Sequence, residues 1–128
     1  MRKFFTTLIL VMVLGIITAC GGSDSSDELT MLEVDFTHPE TAEAGEPVEL
    51  HAFVTFGDED VTDANVVFEV WEEEDEEMEN SVKFDAENNE DGSYTYDYVF
   101  DEPGTYEMYA HTDAHHQHVM PRTKIVIE

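Results

Sequence analysis

Apolar and polar side chains alternate with period two through segment after segment of this chain, and that regularity decides what it can fold into. Successive side chains of an extended strand point to opposite faces, so such alternation predicts strands with one face in a core. In Val48 to Phe56, residues Val48, Leu50, Ala52, Val54 and Phe56 share one side, and Glu49, His51, Phe53 and Thr55 the other. Ala64, Val66, Phe68 and Val70 alternate with Asn65, Val67, Glu69 and Trp71 in what reads as a central strand. Tyr94, Tyr96, Tyr98 and Phe100 line one face of a third strand, as a core stack. Within Thr105 to His111, Tyr106, Met108 and Ala110 oppose Glu107, Tyr109 and His111. Shorter strands are expected over Leu29 to Phe36, Ser81 to Ala86 and Thr123 to Glu128, with turns at Thr41 to Pro47, Gly57 to Asp63, Asn88 to Gly92 and Asp101 to Gly104. Helical periodicity is not evident. About seven strands at short spacing in about 100 residues predict an all-β fold, an immunoglobulin-like antiparallel β-sandwich. Tyr106, just after a proline-glycine turn, stands where a tyrosine corner would return its hydroxyl to the preceding connection.

Ahead of this domain the pattern changes. Arg2 and Lys3 precede an almost uninterrupted apolar run from Phe4 to Ile17, closed by Ile17-Thr18-Ala19-Cys20. That order is a secretory signal, here residues 1–19, and the run falls short of the roughly 20 residues that span a bilayer. Cys20 is the single cysteine and cannot pair within the chain. The Ile-Thr-Ala-Cys segment resembles the lipobox of bacterial lipoproteins, which implies cleavage before Cys20 and a diacylglyceryl thioether on it. The expected location is the outer face of the cell membrane, lipid-anchored through Cys20. Residues 20–28, small and polar after the cysteine, read as a tether, and residues 29–128 as one domain.

Charge narrows the partners. Beyond the signal only Lys83, Arg122 and Lys124 stand against all 31 acidic residues. Such a surface repels nucleic acid and anionic headgroups and favours cations, basic partners or plain solubility. Glu72 to Asn80 carries seven acids in nine positions and reads as a solvated loop, without the glycine-punctuated spacing of an EF-hand.

One segment is biased towards chemistry. Four of the six histidines lie within His111 to His118, and Met120 follows. Between the last two strands this segment would form a hairpin loop at one end of the sandwich. Imidazole suits copper, zinc, nickel or iron, and a thioether tilts the choice towards copper, with zinc the alternative. His118 and Met120, separated by one residue, share a side of an extended backbone. The candidate metal ligands are therefore His111, His115, His116, His118 and Met120, with Glu69 and His51, outward on their strands, as possible support. The bland alternative is a polar hairpin tip with Met120 closing the core, on a metal-free structural or protein-interaction domain. No cysteine nucleophile follows the tether, and there is no Gly-x-Ser-x-Gly turn, phosphate-binding glycine loop or His-Glu-x-x-His motif, so the chain is not expected to be an enzyme.

The stretch Val66-Val67-Phe68-Glu69-Val70-Trp71, then Asp91-Gly92-Ser93-Tyr94, Pro103-Gly104-Thr105-Tyr106, and His111 followed by His118-Val119-Met120-Pro121, resembles the YtkA-like domain, a FixH-related family of Gram-positive lipoproteins. The resemblance spans roughly Leu29 to Glu128. It implies an immunoglobulin-like sandwich outside the membrane and, through the link to FixH, a role near copper supply for respiratory oxidase assembly, with an oxidase assembly protein as partner. Carried over by position, the matched candidates are Glu69, His111, His118 and Met120. The added His115 and His116 and the very acidic loop depart from the pattern and leave the number of ligands open.

Overall fold

The computed structural model describes residues 30–128; the expected export signal, Cys20 and the expected tether lie outside the described residues. Strands β1 (Leu32–Thr37), β2 (Thr41–Ala42), β3 (Pro47–Phe56), β4 (Glu59–Asp60), β5 (Asn65–Glu72), β6 (Val82–Asp85), β7 (Glu87–Asn88), β8 (Ser93–Val99), β9 (Gly104–Ala114), β10 (Gln117–Val119) and β11 (Arg122–Ile127) follow in chain order. Each of the segments that alternates in the sequence is a strand. They form two sheets, β1-β3-β8-β7 with β4 on β3, and β2-β11-β9-β5-β6 with β10 on β9. All pairings are antiparallel except β2 on β11. The fold is the expected all-β sandwich. No helix among the described residues is long and apolar enough to cross a membrane.

The core lies between the sheets and is built from the alternating sets. Val48, Leu50, Ala52 and Val54 of β3 face Val66, Phe68 and Val70 of β5, Met108 and Ala110 of β9, and Ile125 and Ile127 of β11, all buried. No disulfide is available, so this burial, worth about 1.5–3 kcal/mol for each large side chain, carries the stability.

The remaining differences are local. Thr41 and Ala42, expected in a turn, form β2 and pair in parallel with Val126 and Ile127, so the described residues start in one sheet and cross to the other around His38 and Pro39. Two residues are too few to leave a periodicity. The aromatic face of β8 is graded: Tyr94 and Phe100 are buried, but Tyr96 remains 38 % exposed against Phe84, because only the two-residue β7 flanks β8 on that side. The Tyr94 hydroxyl donates to the Val61 carbonyl at 2.7 Å and accepts from the Ala64 amide at 3.0 Å. The Tyr106 hydroxyl donates to the Glu102 carbonyl at 2.8 Å, closing the tyrosine corner.

Candidate functional site

Because β5 and β9 lie in the middle of their sheet, their second faces point away from the core, and that outer face holds the candidate residues. Along β9 it presents Glu107, Tyr109, His111 and Asp113. Pairing sets Glu69 of β5 opposite Tyr109, Trp71 opposite Glu107, and His118 of β10 opposite Asp113. The pairs Val119 with Thr112 and Arg122 with Tyr109 keep one register through Pro121, so Met120 falls opposite His111. Val119 packs against the core, which turns His118 and Met120 outward together. Met120 is 38 % exposed.

The expected loop is shorter than its sequence suggests. β9 continues to Ala114 and meets Gln117 across a two-residue turn in which His115 and His116 both have positive φ, 49° and 63°. This is the twist that a tight hairpin requires. Gln117 fastens the hairpin to the start of β1: its Oε1 accepts from the Leu32 amide at 2.9 Å, and its Nε2 donates to the Thr30 carbonyl at 3.2 Å.

At the centre stands His111. Its Nε2 is 2.7 Å from Glu69 Oε1, and its ring centroid is 5.7 Å from that of His118. Glu69 Oε2 accepts from Ser81 Oγ at 2.7 Å, and Glu69 is only 5 % exposed. Burial raises the Glu69 pKa, but the hydrogen bonds from His111 and Ser81 and the charge of Lys83 outweigh it and hold the carboxyl below its ordinary value. His118 Nδ1 is 2.7 Å from Asp113 Oδ1 on a far more open pair, 43 % and 54 % exposed in their side chains. Each imidazole thus has one nitrogen engaged by a carboxylate and its other nitrogen left over, and Met120 stands opposite His111 in register.

The other predicted ligands lie apart from this group. His115 stacks on Phe56, centroids 4.2 Å apart, and His116 is exposed at the hairpin tip. His51 belongs to β3 in the other sheet, where its Nδ1 lies 3.4 Å from Thr37 Oγ1. Among the described residues no three histidine, cysteine, aspartate or glutamate side chains gather as a metal-holding group. The site is two imidazoles and a thioether, a donor set that fits a soft cation of low coordination number.

The sequence turns Glu69 outward as possible support near His111, where the structure places it, but it gives neither Asp113 nor Ser81. Asp113 was findable, since a tight hairpin at His115 and His116 pairs it with His118. Ser81 left no signal, because the course of the acidic loop sets its position. Beyond the imidazoles, Arg122 lies 5.3 Å from the Trp71 ring centroid and 5.7 Å from that of Tyr109, and its Nη2 is 2.8 Å from Glu107 Oε1. Trp71 is thereby buried on the outer face.

The family model described as YtkA-like matches residues 26–111, taking in Glu69 and His111 and stopping ahead of His118 and Met120. No curated protein matches the chain. Among solved structures, an Escherichia coli alpha-2-macroglobulin activated by porcine elastase aligns with a TM-score of 0.61 at 12% identity, over 79% of this chain and 13% of its own. This chain therefore spans only a small part of that protein. A superoxide reductase (neelaredoxin) from Ignicoccus hospitalis aligns at 0.54 and 14% identity, over 83% of this chain and 88% of its own. The CARDB domain of a Pyrococcus furiosus protein, in complex with di-metal ions, aligns at 0.52 and 14% identity, over 79% and 90%. At such identities the likeness is one of fold.

Proposed function

The chain belongs to the YtkA-like family, and from that premise we propose that it is a membrane-tethered, extracytoplasmic metal-binding module that holds copper for delivery. The observation that carries this reading is the side-by-side placement of His111 and His118, ring centroids 5.7 Å apart, with Met120 opposite His111 in register. Two imidazole nitrogens and a thioether sulfur favour copper over zinc, Cu(I) above all. His111, His118 and Met120 would hold the ion. His115, stacked on Phe56, and His116, at the tip, are left out of the ligand set.

Copper here would be cargo. A half-buried His111 beside exposed His118 and Met120 suits exchange, and an acidic surface attracts cations in general. The anchor is the lipid on Cys20, the location the outer face of the cell membrane, and the recipient an oxidase assembly protein. The molecule is a carrier and not an enzyme.

Titration of the purified domain with Cu(I) tests the reading. One equivalent is expected to bind, and His118→Ala combined with Met120→Ala to abolish binding. Unchanged affinity in that double variant refutes the proposal. That no three histidine, cysteine, aspartate or glutamate side chains gather among the described residues favours a second reading, a metal-free interaction domain. Thermal unfolding separates the two, since a ligand of the folded state alone must raise the melting temperature. Copper that leaves the melting temperature where it was supports the metal-free domain.

A further inference from the structure

We propose that Glu69 is a positioning residue that fixes His111 as its Nε2–H tautomer and so makes Nδ1 the ring atom offered to a metal. This deepens the metal-binding reading and rests on it, and the experiment below separates the two. An ionised carboxylate only accepts hydrogen bonds. The 2.7 Å contact between Glu69 Oε1 and His111 Nε2 is therefore donated by Nε2–H, and a neutral ring protonated there keeps its lone pair on Nδ1.

Glu69 is held for this task. Its second oxygen accepts from Ser81 Oγ at 2.7 Å, it lies on β5 between β6 and β9, and it is almost fully covered. With both oxygens engaged, it acts on a metal through His111. A carboxylate bonded to the far nitrogen of a ligand imidazole sets ring orientation and raises basicity, and its loss weakens metal binding about 10- to 100-fold. His118 has the opposite arrangement, with Nδ1 bonded to Asp113 and Nε2 left over, but on an exposed pair. The site thus combines one imidazole clamped from beneath with one held only at the surface.

Nitrogen-15 NMR of the metal-free protein, at a pH where the rings are neutral, reads the tautomer directly. His111 is expected as Nε2–H alone in the native chain and as a mixture with Nδ1–H in Glu69→Ala, which removes the acceptor. Nδ1–H in the native chain, or an unchanged tautomer in the variant, overturns the proposal. Should Glu69→Ala not fold, Glu69→Met fills similar space without an acceptor; a rise in Nδ1–H supports the proposal and an unaltered spectrum overturns it. In parallel, Cu(I) affinity is expected to fall about 10- to 100-fold in Glu69→Gln and to recover in part in Glu69→Asp. Equal affinity in the native chain and Glu69→Gln overturns the positioning role. A native chain that takes up no Cu(I) refutes the metal-binding reading instead, and the tautomer measurement still decides what Glu69 does to His111.

Discussion

The two faces of β5 and β9 make different demands on the same backbone. Inward, Val66, Phe68, Val70, Met108 and Ala110 need only fill volume against the opposite sheet. Outward, Glu69, Trp71 and Glu107 are also buried, yet each is matched to a partner: Glu69 to His111 and Ser81, Glu107 to Arg122, and Trp71 to the Arg122 guanidinium and the Tyr109 ring. Burial in a core tolerates any shape that packs, whereas burial of a charge is tolerable only where hydrogen bonds replace water. The inner face therefore carries stability, and the outer face specifies geometry.

The comparison is broken most forcefully from the inside. Phe68→Ala should cost about 3–5 kcal/mol in urea unfolding, through lost burial and the cavity left behind. A loss below about 1 kcal/mol would mean that the inner face is not the main support. On the outer face, Glu69→Ala should cost about 1–3 kcal/mol by stranding the His111 and Ser81 donors. The same change sharpens the comparison through pH. The folded Glu69 pKa is depressed, so its contribution is present above the ordinary value of 4.5 and fades as pH falls through the lower folded value. Native and Glu69→Ala chains should differ in stability at neutral pH and converge in acid. At the other extreme, burial raises Tyr94, Tyr98 and Tyr106 above the ordinary 10.0, so their contribution is complete below that value and disappears as pH rises through the folded values. An alkaline unfolding limb that begins well below pH 10 would contradict this assignment.

Smaller effects are expected at the edges of the two faces. Tyr106→Phe removes one hydrogen bond, to the Glu102 carbonyl, and should cost about 0.5–1.5 kcal/mol. His116→Gly should instead stabilise, by at most about 1 kcal/mol, because glycine accepts the positive φ of the hairpin without the penalty that a side chain incurs. Urea unfolding of each variant measures both, and a destabilised His116→Gly would show that the turn residue makes contacts worth more than its strain.

The inner face was the more legible of the two. Alternation at Val48 to Val54 and Val66 to Val70 named the core, and Asp101 to Tyr106 named the corner, because each depends on neighbours within one segment. The site was legible only in outline. Parity turned Glu69, His111, His118 and Met120 outward, but their meeting depends on register between β5, β9 and β10, which no single segment carries. His115 and His116, included on composition, serve the turn instead: backbone curvature, more than donor chemistry, claims those two positions. β2 and Ser81 were missed for a related reason, since each is defined by what it lies against.

Gln117 adds a mechanical consequence. Its amide grips the backbone at both Thr30 and Leu32, the point where the described chain starts. A pull arriving at Thr30 would meet these two bonds together with the Leu32–Phe56 end of β1 on β3, so the hairpin that carries His118 shares any load placed on the first strand.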